Sequence, residues 1–237
     1  MGTVPIIVSV AKGIEQGTLK RMSQVIIEEL GPVPLAVLSG PNIASEIATG
    51  HPASSVVASS HPRLARRIQQ MFTSNRLRLY TSTDVIGVEL GGALKNPIAI
   101  AAGISDGLGF GANAKGALIT RGVVEMARLG AALGARETTF WGLSGLGDLV
   151  TTCLSGRNHW LGEQLGQGKS LKQILASTPM VIEGVETSNA AVVLARRHHI
   201  ELPIIEQVHA MLFRRSTPRH ALAALMRRAG KSEASPH

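Results

Sequence analysis

The 237 residues carry 44% hydrophobic side chains, enough to build one large or two small globular cores, and a net charge of +8 that favours anionic partners such as phosphorylated metabolites, nucleotides or nucleic acid. A single cysteine, Cys153, excludes an internal disulfide framework and a thiolate metal site. No uninterrupted apolar run reaches the roughly eighteen residues of a membrane span, and the first residues lack a signal-peptide pattern, so the chain is read as cytoplasmic.

Val4 to Val10 is a short β-branched run followed by Ala11-Lys12-Gly13, a buried strand entering a loop. Leu19 to Leu30 has helical spacing and stops at Gly31-Pro32. A second strand over Leu35–Leu38 stops at Ser39-Gly40-Pro41-Asn42. Ser54–Ala58 reads as a strand, His61–Phe72 as a helix with Arg63, Arg66 and Arg67 on its wet side, and Leu77–Tyr80 as another strand. This alternation predicts crossover units and a parallel α/β sheet. From Asp84 onward the pattern is helix after helix, which puts a domain boundary near residue 82, and the tail after Arg228 reads as disordered.

Within the helical half, Lys95 is the only charged side chain between Glu89 and Asp106. Apolar residues around it recur at three- and four-residue steps, the pattern of a buried helix. Desolvation lowers a lysine's pKa, and such an amine can exchange a proton with a carbonyl or an alcohol. A snorkelling lysine, or one paired with Asp84 or Glu89, fits the spacing equally well. Asn96 adds an amide, and Pro97 predicts a bend.

Gly109 to Ala114 follows no strand and reads as a tight turn rather than a dinucleotide fingerprint. Leu143 to Val150 reads as a mobile glycine turn presenting Asp148, which can bind a substrate hydroxyl, hold Lys95, or cap a helix. Cys153 reads as a buried apolar residue. Arg157 beside Asn158 suits a phosphate, although the same pair is common at a solvated helix start.

Taken together, Ala11-Lys12-Gly13, Ser39-Gly40-Pro41-Asn42-Ile43-Ala44, Leu94-Lys95-Asn96, Gly145 to Leu149 with Thr152-Cys153, Arg157-Asn158 and Glu183-Gly184-Val185 resemble, in order and over nearly the whole chain, the bacterial NAD(P)-dependent glycerol-3-phosphate dehydrogenases. The resemblance implies a reaction between sn-glycerol 3-phosphate and dihydroxyacetone phosphate that feeds glycerophospholipid synthesis, with NAD or NADP as cofactor. It implies the C-terminal part of a Rossmann-type parallel-sheet domain over residues 1–82, followed by an all-α domain over 83–237 of the 6-phosphogluconate dehydrogenase C-terminal-like type. Lys95 falls on the family's catalytic proton donor or acceptor. Lys12, Gly40, Asn42, Asp148, Arg157 and Asn158 fall on substrate contacts, together with Gly156, which stands where the family carries a serine. Lys12, Ala44, Arg157, Val181 and Glu183 fall on cofactor contacts, and no metal is implied.

The family's first strand and its GxGxxG turn do not occur in the 237 residues. The chain is therefore expected to be an N-terminally truncated form with weak cofactor affinity, and inactive on its own. Its NAD versus NADP preference and its oligomeric state, a homodimer included, stay open. Two other readings are a related 3-hydroxyacid or 6-phosphogluconate-type dehydrogenase, and a basic nucleic-acid module built on Arg214, Arg215, Arg219, Arg227, Arg228 and Lys231. Only 3% of residues are aromatic and no nucleic-acid motif is present, so the partner is expected to be a small phosphorylated molecule rather than nucleic acid.

Overall fold

The computed structural model describes residues 5–230 and 232–233; Val4 of the expected first strand, Lys231 of the basic stretch and the end of the expected disordered tail lie outside them. The chain order is β1 (Ile7–Ser9), α1 (Met22–Leu30), β2 (Leu35–Ser39), α2 (Ala44–Ala48), β3 (Ala53–Ala58), α3 (Pro62–Phe72) and β4 (Leu77–Ser82). The helices that follow are α4 (Val85–Gly107), α5 (Ala112–Ala132), α6 (Asp148–Leu154), α7 (Arg157–Gly166), α8 (Leu171–Ala176), α9 (Glu183–Arg197), α10 (Pro203–Phe213) and α11 (Pro218–Met226).

The four strands form one sheet in the order β1-β2-β3-β4. β1 pairs parallel with β2 and β3 with β4, but β2 and β3 run antiparallel, with Val37 opposite Ala58 and Ser39 opposite Val56. The sheet is therefore mixed, not wholly parallel. β2 and β3 are joined by residues 40–52, whose only helix is the five-residue α2.

Both faces of the sheet are covered. Ala36, Val57, Ile68 and Leu79 form the core beneath α3, whose Arg63, Arg66 and Arg67 are exposed as expected. On the other face Val37 and Ala58 pack with Val88 of α4, so the end of β2 lies against the start of that helix.

α4 is the axis of the helical half. It is buried from Gly87 to Ser105 and is surrounded by α5, α6, α7, α9 and α10, as its all-round apolarity demands. Its length and hydropathy would suit a membrane span, yet 89% of its apolar window is buried inside the protein. Asp84 caps it, accepting from the Gly87 N–H at 2.9 Å and from the Arg136 N–H and Thr139 hydroxyl. The helix continues through Pro97 to Gly107. α7 crosses α4 at van der Waals distance because Gly162 has no side chain: a Cβ there would overlap the Ile100 carbonyl.

Two expectations are corrected here. Asp84 and Glu89 do not pair with Lys95. Asp84 is the cap, and Glu89 accepts from the Ser23 N–H and hydroxyl, both at 2.7 Å, and from Arg21, tying α1 to α4. The glycine-rich stretch before Asp148 is not a mobile turn either. Leu143–Gly147 forms one wide helical turn that continues into α6, with Ser144 and Gly145 buried. Gly109, with φ +77°, and Gly111, which precedes α5, do form the expected turn.

Candidate active site

Lys95 sits midway along α4, 6% exposed. Its ammonium reaches the Asp148 Oδ1 at 2.9 Å and donates to the Thr152 hydroxyl at 2.5 Å. Asp148 opens α6 with its side chain turned away from capping duty, and its other oxygen accepts from the Lys12 ammonium at 2.6 Å. Lys12 also donates to the Gly40 carbonyl at 3.0 Å, which fixes the loop after β1 to the loop after β2. One buried carboxylate therefore holds two ammonium groups, one from the loop after β1 and one from the middle of α4.

The Gly91-Gly92 pair that precedes Lys95 has a physical reason in this arrangement. A Cβ at Gly92 would lie 2.7 Å from the Ser39 hydroxyl and 3.3 Å from the Lys12 Cγ, so the missing side chain lets the Lys12 stem lie on α4. Ser39 Oγ, at that same contact, is buried without a hydrogen-bond partner.

The charges tune one another. Burial is the largest influence on Lys95 and takes its pKa below the ordinary 10.5; Asp148 opposes that effect, while Lys12 adds to it. Two cations against one carboxylate leave an excess of positive charge, which suits an anionic ligand. Cys153, one residue beyond Thr152, is fully buried, and burial pushes its thiol up to about 12. It is the inert apolar residue the sequence suggested, not a nucleophile.

A second cluster lies beside the first. The Asn158 amide is buried and donates to Asn96 Oδ1 at 3.0 Å, while its oxygen accepts from the Gly184 N–H at 2.8 Å. This pins the start of α7 to the residue next to Lys95 and to the start of α9. Arg157, at the exposed first position of α7, pairs with Glu183 at 2.6 Å, and the Glu183 charge is felt at Lys95. Gly156 takes φ +104° to turn the chain into α7.

Of the residues expected at the site, Lys12, Gly40, Lys95 and Asp148 are thus joined directly, and Arg157, Asn158 and Glu183 form the adjoining group. Asn42 accepts from the Ser55 hydroxyl at 2.5 Å. Ala44 is exposed at the start of α2, and Val181 is exposed just ahead of α9; no hydrogen bond ties either to the lysine cluster. The sequence reading gave Thr152 no role, although its spacing four residues after Asp148 on a helix puts it on the same face. Among the described residues no group of three or more His, Cys, Asp or Glu side chains could hold a metal ion.

Comparison with known proteins gives this arrangement its family. A model described as the C-terminus of NAD-dependent glycerol-3-phosphate dehydrogenase matches residues 84–223, and its N-terminal counterpart matches residues 2–65. The chain belongs to the NAD-dependent glycerol-3-phosphate dehydrogenase family. It is 50% identical over 230 residues to the glycerol-3-phosphate dehydrogenase [NAD(P)+] of Desulfitobacterium hafniense, covering 96% of this chain and 65% of that protein. The enzyme of the same name from Citrifermentans bemidjiense is 51% identical over 233 residues, covering 96% and 70%. Among solved structures, glycerol-3-phosphate dehydrogenase from Coxiella burnetii superposes with a TM-score of 0.90 at 40% identity, over 96% of this chain and 70% of that one. The chain thus spans about two thirds of the length of these relatives.

Proposed function

We propose that this chain carries the substrate-binding and proton-transfer half of an NAD(P)-dependent oxidoreductase that interconverts dihydroxyacetone phosphate and sn-glycerol 3-phosphate. The observation that carries the reading is the Lys95–Asp148–Lys12 cluster: a buried ammonium with a lowered pKa, held in place by a carboxylate and a hydroxyl, beside a second ammonium that leaves the cluster net positive. Family membership supplies the substrate class. We also read residues 1–82 as part of a dinucleotide-binding domain and 83–237 as the substrate domain.

In the reducing direction, Lys95 as an ammonium donates its proton to the carbonyl oxygen of the substrate, and hydride delivered to the carbonyl carbon completes the alcohol. In the oxidising direction the neutral amine takes the hydroxyl proton as hydride leaves. A bound nicotinamide would supply or accept that hydride. The lowered pKa of Lys95 makes its proton easier to release than that of an ordinary lysine. Asp148 keeps the amine aimed and, with Thr152, replaces the water it has lost. Lys12 adds positive charge where the oxygen gains negative charge.

Arg157, exposed and forked, is suited to the phosphate, and Asn158 keeps one of its two amide hydrogens uncommitted for the same anion. Ala44, Val181 and Glu183, with Lys12 and Arg157, are the residues that would face the cofactor. An ion pair open to solvent and the unpartnered Ser39 hydroxyl fit a polar ligand there, whereas the glycine turn that grips a pyrophosphate does not occur in the 237 residues. The fit is thus to the reacting end of a dinucleotide.

Calorimetric titration tests the phosphate half of this reading. sn-Glycerol 3-phosphate should bind and glycerol should not, and Arg157→Ala should weaken the phosphorylated ligand by about 1.5 to 3 kcal/mol. Equal binding of glycerol and its phosphate would refute it. Neither the nucleic-acid reading nor the 3-hydroxyacid alternative draws support from the family match.

A further inference from the structure

Away from the lysine cluster, the last turns of α4, the outer face of α5, and α10 with α11 line a cavity of about 560 Å³. That volume lies within the roughly 300–1,000 Å³ typical of small-molecule sites. Its wall is apolar, formed chiefly by Ile104, Leu108, Leu118, Val208, Met211 and Leu225. Polar side chains interrupt the wall, among them three guanidinium groups, Arg121, Arg128 and Arg228, and two carboxylates, Glu125 and Glu233. Ser105, 4% exposed, lines the cavity, and its hydroxyl is buried without a hydrogen-bond partner. Arg121 lines it too and makes no hydrogen bond or ion pair among the described residues. Glu125 lines it as well, but its carboxylate is committed to the Ile204 and Ile205 N–H groups at the start of α10, at 2.7 and 3.2 Å.

A mostly apolar cavity with an uncommitted guanidinium and a buried unsatisfied hydroxyl matches a ligand with an apolar body and one small anionic head. We propose that this cavity binds the chain of an aliphatic monocarboxylate, with the carboxylate on Arg121. A sugar phosphate or nucleotide is disfavoured because most of the wall is apolar and would leave its hydroxyl groups without partners. A cationic amphiphile is disfavoured because Arg121, Arg128 and Arg228 outnumber Glu125 and Glu233 on the wall. The cavity and Lys95 share one helix: Ile104, Ser105 and the capping residue Leu108 lie at the end of the same element whose middle holds Lys95. The proposal does not depend on the dehydrogenase reading, since its test is binding.

The experiment is calorimetric titration of the 237-residue chain with sodium dodecanoate below its micelle concentration, with octanoate, dodecanol and dodecyltrimethylammonium as comparisons. One saturable site is expected, tighter for dodecanoate than for octanoate and undetectable for the cation. Arg121→Gln should weaken dodecanoate about tenfold or more and leave dodecanol unchanged; the unchanged dodecanol shows that the variant is folded. Ala117→Trp, which puts a large ring on the cavity wall, should abolish both. Absence of saturable binding would overturn the proposal. So would equal binding of the cation, an Arg121→Gln variant that binds dodecanoate as well as the wild type, or self-association of the chain that closes the cavity and is unaffected by dodecanoate.

Discussion

Replacing Asp148 by Asn removes the one negative charge between Lys95 and Lys12 while keeping the shape of the side chain. Deleting one partner of a buried ion pair costs about 3–5 kcal/mol, because the other charge is left unpaired. The Lys12 side chain is 23% exposed and keeps the Gly40 carbonyl, so its share is discounted by solvent screening. Lys95 has no such relief, since its side chain is 8% exposed and only the neutral Thr152 hydroxyl and the amide oxygen of the new side chain remain. The expected cost in urea unfolding near neutral pH is about 3 kcal/mol, mostly from Lys95. Its pH dependence has a definite sign. The folded-state pKa of Lys95 already lies below 10.5, and without Asp148 it falls further. The unfolded chain then binds more protons than the folded one between that lowered value and 10.5, so the stability of the variant rises with pH across that window. Lys95→Met combined with Asp148→Asn should recover most of the loss. A cost under about 1 kcal/mol, no gain on raising the pH, or no recovery in the double variant would show that Lys95 is not a buried charge held by Asp148.

Glu125 has a pKa raised to about 7 by burial, so the stabilisation it contributes is full below its ordinary 4.5 and is lost as the pH rises through about 7. Measured against Glu125→Gln, the wild type should lose up to about 3 kcal/mol of relative stability across that range, at about 1.4 kcal/mol per pH unit; a flat difference would refute the assignment. Gly92→Ala places a methyl group 2.7 Å from the Ser39 hydroxyl and 3.3 Å from the Lys12 stem, and should cost about 1–3 kcal/mol in a urea melt. Cys153 should resist iodoacetamide in the native chain and react in denaturant; rapid native labelling would contradict its burial.

Much of this arrangement was legible in the sequence, because isolated charges and glycines in apolar surroundings have few explanations. Lys95 in its apolar stretch does lie buried in a helix, and Asp148, one of the roles open to it, does hold that lysine. The partners first considered for Lys95 failed because Asp84 and Glu89 are near in sequence but spent elsewhere, one on capping α4 and the other on α1. The antiparallel β2–β3 pairing was hidden because strand propensities do not report the direction in which two strands pair. The order of the Leu143–Gly147 turn escaped because a glycine run reads as flexible unless the backbone packed against it is known; Gly145 is small because the Phe140 carbonyl lies there. Thr152 was missed because a threonine on a helix has no distinctive spacing until its neighbour at Asp148 is known to matter.

The central claim is that the Lys95 ammonium carries the proton of the reaction. It is tested most directly by dihydroxyacetone phosphate-dependent oxidation of NADH, followed at saturating substrate in this chain joined to the part of the Desulfitobacterium hafniense relative that it does not span. Lys95→Ala should lower kcat by at least about 10²-fold with the fold intact, and Lys95→Arg should fail equally, because a guanidinium does not give up its proton near neutral pH. Turnover by Lys95→Ala close to that of the unmodified chain would contradict the account.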